Sequence, residues 1–552
     1  MQERFEISEW RVKMGESPAI APFMPVVQYE IESDAFSTRQ RLFEAQAESV
    51  RFLTQCQQQA ITAEQAKIAS LSFVVAPIPP WAALSELGSA SARHFYYDAP
   101  PQTALQSTFH SAFQEEGQSE SNPHRPKEFR HQSMVGIGAA VEYSGAGDTR
   151  FSDAQAFIDF WRSHFCIAQP IGQAIGQITN TRDLPPGYFF CSATFASDRQ
   201  PNAFFAPAYV CVPALQINAQ RQSSLITFNR LITRDTHVES VAEEIYRQLR
   251  QVIAIGDRAK AWPQTGTRLK SAQRHQLIKD VVGFEDTVRA VLHQMRSQPV
   301  HKVVISDVAD VVMPSPVDVV RSLQTLRRNH PHCTTFSVGN GKGQSFIGAS
   351  PERLLRIANG ELMTDALAGT TSRSTDRGLD IQLGQSLLNS KKERYEHHLV
   401  VEFILDQLRS LGLHPNYDSS PHLLKLSNLQ HLHTPIKATL KGTPKSALIQ
   451  PLDILTHLHP TPAVAGVPRQ LACQLIRQHE TFNRGLYTAP IGWVDTAGNS
   501  EFIVGIRSAL IDGSKARLYA GAGIVSGSEP ERELAEIRLK LQALLNALVV
   551  CE

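Results

Sequence analysis

Residues 334–348 read Thr-Thr-Phe-Ser-Val-Gly-Asn-Gly-Lys-Gly-Gln-Ser-Phe-Ile-Gly, two short apolar runs on either side of a glycine-rich centre. That centre could be mistaken for a phosphate-binding loop, but the β-prone runs on both sides predict a hairpin turn. The chain contains no Gly-x-x-x-x-Gly-Lys motif, no dinucleotide-binding fingerprint and no strict βαβ alternation. We therefore expect an α+β fold rather than a parallel, doubly wound sheet.

Strand and helix patterns continue on the N-terminal side of this hairpin. Apolar runs separated by Gly, Pro, Asn and Asp predict β-strands at 135–141, 188–195, 208–212 and 225–228. Segment 151–165 is the predicted helix among them, and the Gln- and Ala-rich segment 38–68 predicts a surface helix or a pair of helices. The polar segment 114–133 has too few apolar residues to bury and is predicted to be a flexible loop.

Charge and cysteine usage exclude several classes of function. Lys and Arg total 54 against 53 Asp and Glu, so the basic excess of a nucleic-acid-binding protein is missing and no nucleic-acid partner is expected. Seven scattered cysteines without a Cys-x-x-Cys spacing predict reduced thiols. The N-terminus lacks an apolar signal core, and no apolar run approaches the length of a membrane span. We expect a cytoplasmic protein with no membrane partner.

Two carboxylate pairs stand on predicted amphipathic helices. Glu393 and Glu396 lie three residues apart before an apolar helical stripe, and Glu533 and Glu536 repeat the spacing near the C-terminus, with Lys540 four residues further on. Such a pair, taken alone, is usually just part of a solvated helix face. If the two helices meet, however, their carboxylates supply the few oxygen ligands, with open water positions, that Mg²⁺ prefers.

Three further charged residues have contexts that permit a role in binding or catalysis. Lys302 lies in a strand-like run, and Glu352 follows a sharp Gly-Ala-Ser-Pro turn, although a residue in either context alone is more often a surface charge. Arg507 lies in a run apolar enough to be buried, and a buried guanidinium needs an anionic partner such as a ligand carboxylate. The small residues of 519–525 let backbone amides approach a ligand closely. Composition alone does not identify that ligand.

Several motifs occur together and in order. They are Gly-Ala-Ser-Pro-Glu-Arg-Leu at 348–354, Ala-Leu-Ala-Gly-Thr at 366–370, His-Pro-Thr-Pro-Ala-Val at 459–464 and Gly-Ala-Gly-Ile-Val at 521–525. In these motifs the chain resembles the chorismate-binding enzymes. More narrowly, Arg-Gly-Leu-Tyr at 484–487, Pro-Ile-Gly-Trp at 490–493, and Gln-His-Leu at 430–432 with Thr434 are similar to the isochorismate synthases, isomerases that feed quinone or siderophore pathways.

The resemblance is uneven along the chain. It is dense over 280–545, which is the expected catalytic region, and weaker over 95–279, the expected N-terminal part of the same fold. Residues 1–94 are poorly matched. The resemblance implies a single α+β catalytic unit of two large, mainly antiparallel sheets with helices packed outside.

The resemblance also implies a role for each matching position. Lys302 would be the base for an incoming water, and Glu352 the acid that protonates the departing hydroxyl. The implied Mg²⁺ ligands are Glu396 and Glu536, with Glu393 and Glu533 beside them. The implied substrate-binding residues are Gly369, His431, Ala463, Tyr487, Arg507, Gly523 and Lys540.

The reaction that follows from the resemblance is Mg²⁺-dependent conversion of chorismate to isochorismate, for menaquinone or phylloquinone synthesis. A salicylate synthase, which also eliminates pyruvate, stays open because its second step needs no additional acid or base. An ammonia-using anthranilate or aminodeoxychorismate synthase component is disfavoured, since such relatives generally lack a lysine at the position of Lys302 and tend to carry Thr at that of Ala463. A non-catalytic chorismate sensor would have lost some of these positions. No glutaminase subunit is expected, and the resemblance implies a monomer.

Overall fold

The computed structural model describes residues 27–28, 35–88, 92–100, 133–168, 187–201, 203–220, 223–259, 267–268, 283–441 and 449–550. These ranges form α-helices and β-strands, each numbered here in chain order. The helices are α1 (Ala35–Ala63), α2 (Pro80–Leu87), α3 (Arg150–Arg162), α4 (Val238–Ala259), α5 (Phe284–Ser297), α6 (Val319–Asn329), α7 (Arg377–Asn389), α8 (Lys391–Ser410), α9 (Pro451–Leu458), α10 (Arg469–His479) and α11 (Pro530–Leu545).

Two large sheets contain nearly all the strands of the described ranges. Sheet A consists of β1 (Val27–Gln28), β2 (Lys67–Val75), β3 (Arg93–Asp98), β4 (Ser133–Ile137), β6 (Phe165–Ile167), β9 (Leu215–Ala219), β10 (Ser224–Ile232), β12 (Lys302–Val312), β13 (Thr334–Asn340), β14 (Gln344–Ser350), β20 (Gly466–Val467), β23 (Ser508–Asp512) and β24 (Lys515–Val525). Sheet B consists of β5 (Val141–Gly145), β7 (Tyr188–Ala193), β8 (Ala208–Val212), β15 (Arg353–Ala358), β16 (Glu361–Ser372), β17 (Asn416–Tyr417), β18 (His422–Lys425), β19 (Leu429–Thr439), β21 (Pro490–Asp495) and β22 (Ser500–Val504). A separate two-stranded ribbon pairs β11 (Thr267–Arg268) with β25 (Val549–Val550).

Strand pairing in both sheets is mainly antiparallel. Sheet A runs β1-β2-β10-β9-β4-β3-β13-β14-β23-β24-β12-β20, with β6 beside β2, and its parallel pairs are β1 with β2 and β2 with β6. Sheet B runs β17-β19-β16-β15-β22-β21-β7-β8-β5, with β18 beside β19. The α+β fold with two large, mainly antiparallel sheets is therefore confirmed.

Three buried clusters hold the layers together. One packs α1, α2, α4, α5, α6, α10 and α11 on sheet A, and a second packs α3, α8 and α9 on sheet B. The third cluster joins the two sheets. In it, for example, Phe95 of β3 stacks on Phe190 of β7 with ring centroids 4.4 Å apart. Each fully buried Leu, Ile or Phe contributes roughly 1.5–3 kcal/mol. Packing on the sheets therefore fixes the outer helices that carry the predicted carboxylates.

The hairpin expected at residues 334–348 is present. β13 and β14 pair antiparallel, and Gly341 and Gly343 take positive φ angles of 72° and 101° in the turn. The run 135–141, expected to be one strand, instead supplies β4 of sheet A and the first residue of β5 of sheet B. Gly138 lies between them with a φ of 65°, a left-handed conformation that turns the chain from one sheet to the other.

Two helix boundaries differ from expectation, and one predicted loop cannot be compared. The segment 38–68 forms the single helix α1, which ends at Ala63 because the apolar residues that follow enter β2. The segment 151–165 forms α3 only to Arg162, because Phe165 pairs with β2 as part of β6. The loop predicted at 114–133 lies outside the described residues, apart from Ser133, which begins β4.

Candidate active site

A cavity of about 90 Å³, called here the active-site cavity, is lined by both sheets and by α8 and α11. Most of the site residues expected from the sequence line it: Lys302, Glu352, Gly369, Glu396, His431, Ala463, Tyr487, Arg507, Gly523, Glu536 and Lys540. The two others, Glu393 and Glu533, lie on α8 and α11 one helical turn before the lining glutamates. The fold thus brings together residues that are up to 238 positions apart along the chain.

Lys302 is the first residue of β12, and strand alternation directs its side chain into the cavity. Val303 and Ile305 join the core on the opposite face. The Lys302 side chain is 1% exposed, and its Nζ forms a salt bridge of 2.9 Å with Glu396 Oε1. Gly523 on the neighbouring strand gives this pair room, because a Cβ there would lie 2.3 Å from Glu396 Oε1. Lys302 is therefore a buried, paired cation and not a lysine facing water.

Glu352 lies in the short connection between β14 and β15, which the surrounding backbone holds in place. Its amide donates to Ser350 Oγ at 3.2 Å, and its carbonyl accepts from the amide of Val504 at 3.1 Å. Burial raises the pKa of Glu352 to about 8, although nearby Lys302 acts to lower it. The carboxyl is therefore mostly protonated at neutral pH and able to donate a proton.

A chain of hydrogen bonds runs from Glu393, which lies outside the lining, to Arg507 in the cavity wall. Gly369 forms a β-bulge in β16 with a φ of 77°, and the amide of the next residue, Thr370, donates to Glu393 Oε2 at 3.1 Å. Thr370 Oγ1 lies 3.1 Å from His431 Nδ1, and Arg507 Nη2 lies 3.0 Å from His431 Nε2. Because arginine only donates, Nε2 of the imidazole accepts and Nδ1 carries its proton. Burial, and then Arg507, lower the pKa of His431 well below its ordinary value, which keeps the ring neutral.

Arg507 is held in an uncommon backbone conformation. Its φ is 50°, and that of Thr488, which also lines the cavity, is 59°. Non-glycine residues with such angles persist only where their surroundings hold them, and they concentrate at functional sites. Burial lowers the pKa of the Arg507 guanidinium, and within the described residues no carboxylate forms an ion pair with it. The burial of Arg507 agrees with its sequence context, and an anionic ligand as its partner stays a prediction.

The glutamates of α8 and α11 come together, and all four are paired with lysines. The pairs are Lys302–Glu396 (2.9 Å), Lys392–Glu533 (2.8 Å), Lys392–Glu393 (3.5 Å) and Lys540–Glu536 (2.6 Å). Burial acts to raise the pKa of Glu536, but Lys540 outweighs it and holds that pKa below its ordinary value. Lys392 was not among the site residues expected from the sequence, because no local pattern links it to Glu533, 141 positions away.

The fit of these carboxylates to a metal ion rests on their chemistry. Within the part of the chain that the structure describes, no three His, Cys, Asp or Glu side chains are arranged to hold a metal. Burial and then Glu396 raise the pKa of Glu393, and burial and Glu536 act in the same direction on Glu533. Crowded, buried carboxylate oxygens are the ligands that a hard divalent cation prefers, and such a cation would relieve their repulsion. These carboxylates therefore suit Mg²⁺ by donor type, although not by their arrangement in this structure.

Arg484, noted in the sequence only as part of a motif, joins several segments behind the cavity. It is 3% exposed and donates to the carbonyl of Val304 in β12 at 2.9 Å and to that of Val464 at 2.8 Å. Its Nε donates to Glu480 Oε2 at 2.7 Å, and Glu480 Oε1 accepts from the amide of Ser306 at 2.9 Å. This ion pair therefore supports the strand that presents Lys302. No local pattern in the chain indicates that Arg484, Glu480 and β12 would meet.

Comparison with known proteins identifies the class. The family described as chorismate binding enzymes matches residues 51–549, and the chain belongs to that family. A salicylate biosynthesis isochorismate synthase of Pseudomonas aeruginosa is 46% identical over 226 residues, which are 41% of this chain and 46% of that protein. The match thus spans about half the length of that relative.

Two further relatives extend the likeness over more of the chain. Isochorismate synthase MenF of Bacillus subtilis is 34% identical over 337 residues, covering 61% of this chain and 69% of that one. The solved structure of MenF, the menaquinone-specific isochorismate synthase of Escherichia coli, matches with a TM-score of 0.64 and 25% identity, over 87% of this chain and 94% of that one. The chain is thus an enzyme of this family. None of the helices within the described ranges is long and apolar enough to cross a membrane.

Proposed function

We propose that the protein is an isochorismate synthase that adds water to C2 of chorismate and expels the C4 hydroxyl. One observation carries the proposal: the buried carboxyl of Glu352, with a pKa of about 8, lines the same cavity as the buried amine of Lys302. A protonated acid and a lysine that line one cavity are the groups that this exchange requires. The likeness to enzymes named isochorismate synthases supports the same reaction.

The acid step belongs to Glu352. Hydroxide is a poor leaving group, so the C4–O bond breaks more readily when Glu352 donates its proton to that oxygen, which leaves as water. Lys302 takes a proton from the incoming water as the water oxygen bonds to C2. At the same time the double bonds of the ring rearrange along the path from C2 to C4, so that C4 releases its oxygen. One water enters and one leaves. The net change is an isomerisation.

Lys302 must be neutral to act as a base, and in the structure Glu396 is its counterion. A buried amine that loses its counterion favours the neutral form. Glu396 and Glu536, with Glu393 and Glu533 beside them, are the residues that would hold Mg²⁺. Bound Mg²⁺ would neutralise and orient the ring carboxylate of the substrate.

The remaining lining residues bind and orient the substrate. Arg507 and Tyr487 hold the enolpyruvyl carboxylate, with Lys540 and the amide of Gly523 beside them. His431 accepts a hydrogen bond from Arg507 and so fixes the guanidinium, and the bulge at Gly369 brings Thr370 within reach of His431. Small side chains such as Ala463 leave space for the ring.

The cellular use of the product is also a proposal. Likeness to a menaquinone-specific enzyme supports supply of menaquinone, or of phylloquinone, although the Pseudomonas aeruginosa relative is named for salicylate biosynthesis. We propose a cytoplasmic, monomeric enzyme that works without a glutaminase subunit.

Product analysis tests this assignment. Purified protein is incubated with chorismate and Mg²⁺, and isochorismate, salicylate, pyruvate and aminated products are quantified over time. Isochorismate without pyruvate is the expected result. Early salicylate and pyruvate in equal amounts would identify a salicylate synthase instead. An aminated product that forms with ammonium chloride as fast as isochorismate would contradict the choice of water as nucleophile.

A further inference from the structure

The strand that begins with Lys302 has a neighbouring strand along only part of one edge. On one side β24 pairs with β12 along its whole length, whereas on the other side β20 pairs with Lys302 and Val303 alone. The amide of Val304 still donates to the carbonyl of Ala465 at 2.6 Å. Among the described residues, no strand pairs with this edge beyond that point. The buried backbone groups there need other partners, because a buried polar group without one is costly.

A side-chain ion pair takes the place of the missing strand. The carbonyl of Val304 accepts from Arg484 Nη2 at 2.9 Å, and the amide of Ser306 donates to Glu480 Oε1 at 2.9 Å. Two hydrogen bonds join Arg484 to Glu480, and the one from Nε to Oε2 is 2.7 Å long. Such bidentate pairs fix geometry as well as adding energy. The ion pair therefore holds β12 two to four residues after Lys302.

This ion pair is buried, and stability alone is a weak reason for its presence. Both side chains are 3% exposed, and the guanidinium carbon of Arg484 lies 4.4 Å from the ring centroid of Phe195. Glu480 is the residue directly after α10, and its amide donates to the carbonyl of Ile476 at 2.9 Å. Desolvation offsets much of the attraction within a buried ion pair. The value of the pair therefore lies in the geometry that it imposes on β12.

The same guanidinium reaches two further segments of the cavity wall. Its Nη1 donates to the carbonyl of Val464 at 2.8 Å and to Thr488 Oγ1 at 3.2 Å, and both residues line the active-site cavity. Each of these segments also has a backbone hydrogen bond of its own, from Val464 to Thr461 at 3.1 Å and from Thr488 to Gly505 at 2.9 Å. For the edge of β12, the ion pair itself supplies the partners. Loss of the pair should therefore displace β12, and Lys302 with it, before it displaces these walls.

We propose that Arg484 and Glu480 are positioning residues, which set the place of the Lys302 amine by completing the edge of β12. Neither residue lines the active-site cavity, so both act through Lys302. This role rests on the proposed function, because it needs Lys302 as the base for the incoming water. A base must lie within hydrogen-bond reach of the proton that it takes. A misplacement of about 1 Å can cost a factor of about 100 in rate.

Arg484→Lys tests this role, because lysine keeps the charge but cannot bind Glu480 and the carbonyl of Val304 through one planar fork. The kcat for chorismate consumption should fall by roughly tenfold to 100-fold. In the Lys302→Gln background, which turns over slowly, calorimetry should show that Arg484→Lys changes the Kd for chorismate by less than about twofold. Glu480→Gln should give the same pattern, and it carries the test if Arg484→Lys does not fold. A near-normal kcat in the folded variants would overturn the proposal.

Dependence on Lys302 separates a positioning role from a structural one. Combined with Lys302→Gln, neither Arg484→Lys nor Glu480→Gln should lower the residual rate by more than about twofold, because the amine that the ion pair places is gone. A purely structural role would lower the rate by the same factor in the wild-type and the Lys302→Gln backgrounds. Equal factors in the two backgrounds would overturn the proposal.

Arg230→Lys is the matched control. Arg230 is 8% exposed, donates to the carbonyl of Ala214 at 2.8 Å and pairs with Glu244 at 3.1 Å, but its strand, β10, is separated from β12 by seven strands of sheet A. This control should lower Tm and leave kcat unchanged at a temperature where circular dichroism shows every variant to be folded. An equal loss of kcat in the control would assign the effect to lost stability and overturn the proposal. A wild type that consumes no chorismate would instead refute the proposed function, and the positioning role with it.

Discussion

Replacing Glu352 with Gln should stabilise the protein at neutral pH while removing most of its activity. The side chain is buried, and the folded state raises its pKa from an ordinary 4.5 to about 8. Gln has nearly the same shape as a protonated Glu but cannot ionise or donate an acidic proton. We expect turnover to fall by at least roughly 100-fold, as is typical when a positioned acid is lost.

The gain in stability follows from the pKa. Below about pH 4.5 the carboxyl is protonated in both the folded and the unfolded chain, so its titration costs no stability. Between pH 4.5 and about 8 the folded state binds the proton more tightly, and the free energy of unfolding falls by about 1.4 kcal/mol per pH unit. At pH 7 the loss is about 3 kcal/mol. The Glu352→Gln variant has no carboxyl to titrate, so it does not lose this stability. It should be more stable than the wild type by about 3 kcal/mol at pH 7, but by less than about 1 kcal/mol at pH 5.

Urea unfolding of wild type and variant at pH 5 and pH 7, followed by tryptophan fluorescence, measures this difference. Glu361→Gln is the control, because Glu361 is an exposed glutamate at the start of β16. This control substitution should leave the free energy of unfolding unchanged at both pH values. A Glu352→Gln variant that is no more stable than wild type at pH 7 would show that the folded carboxyl is ionised there, and Glu352 would then fail as the acid.

Three other substitutions test the remaining roles. Lys302→Gln should slow isochorismate formation by at least roughly 100-fold while chorismate binding, measured by calorimetry, persists; near-normal turnover would remove Lys302 as the base. Arg507→Ala should lower kcat/KM for chorismate by an amount equivalent to about 2–5 kcal/mol, with little change in Tm. A large drop in Tm without ligand would indicate a structural role instead. Glu536→Gln should raise the Mg²⁺ concentration needed for half-maximal activity, and an unchanged requirement would leave Glu536 as an ordinary helix-face residue.

The sequence predicted those parts of the fold and site that depend on local pattern. The β13–β14 hairpin follows from β-prone runs around a glycine-rich turn, and the glutamates of α8 and α11 follow from a three-residue helical spacing. The family resemblance added Lys302 and Glu352, whose separate contexts were ambiguous. The structure places both in one cavity.

The remaining features depend on contacts between distant segments, which no local pattern records. Gly138 redirects the chain from sheet A to sheet B inside a run that reads as one strand. Lys392 pairs with Glu533 only because α8 and α11 pack on the same side of the site. His94 of β3 lies opposite Gly339 of β13 only because of the register between these two strands, and the sequence of one strand does not reveal its partner.

If the proposed function holds, the charge balance of the candidate site should link Mg²⁺ binding to chorismate binding. Four cations, Lys302, Lys392, Lys540 and Arg507, face four carboxylates, Glu393, Glu396, Glu533 and Glu536, while Glu352 is mostly protonated at neutral pH. The sum is near zero. Chorismate brings two carboxylates and Mg²⁺ two positive charges, so either ligand alone leaves a buried excess of two charges, which is costly. The two ligands should therefore bind cooperatively, each strengthening the other by the same factor. Calorimetry on the Glu352→Gln variant, which binds but turns over slowly, measures that factor. Equal Mg²⁺ affinity with and without chorismate would show that these side chains do not compensate the ligands' charges.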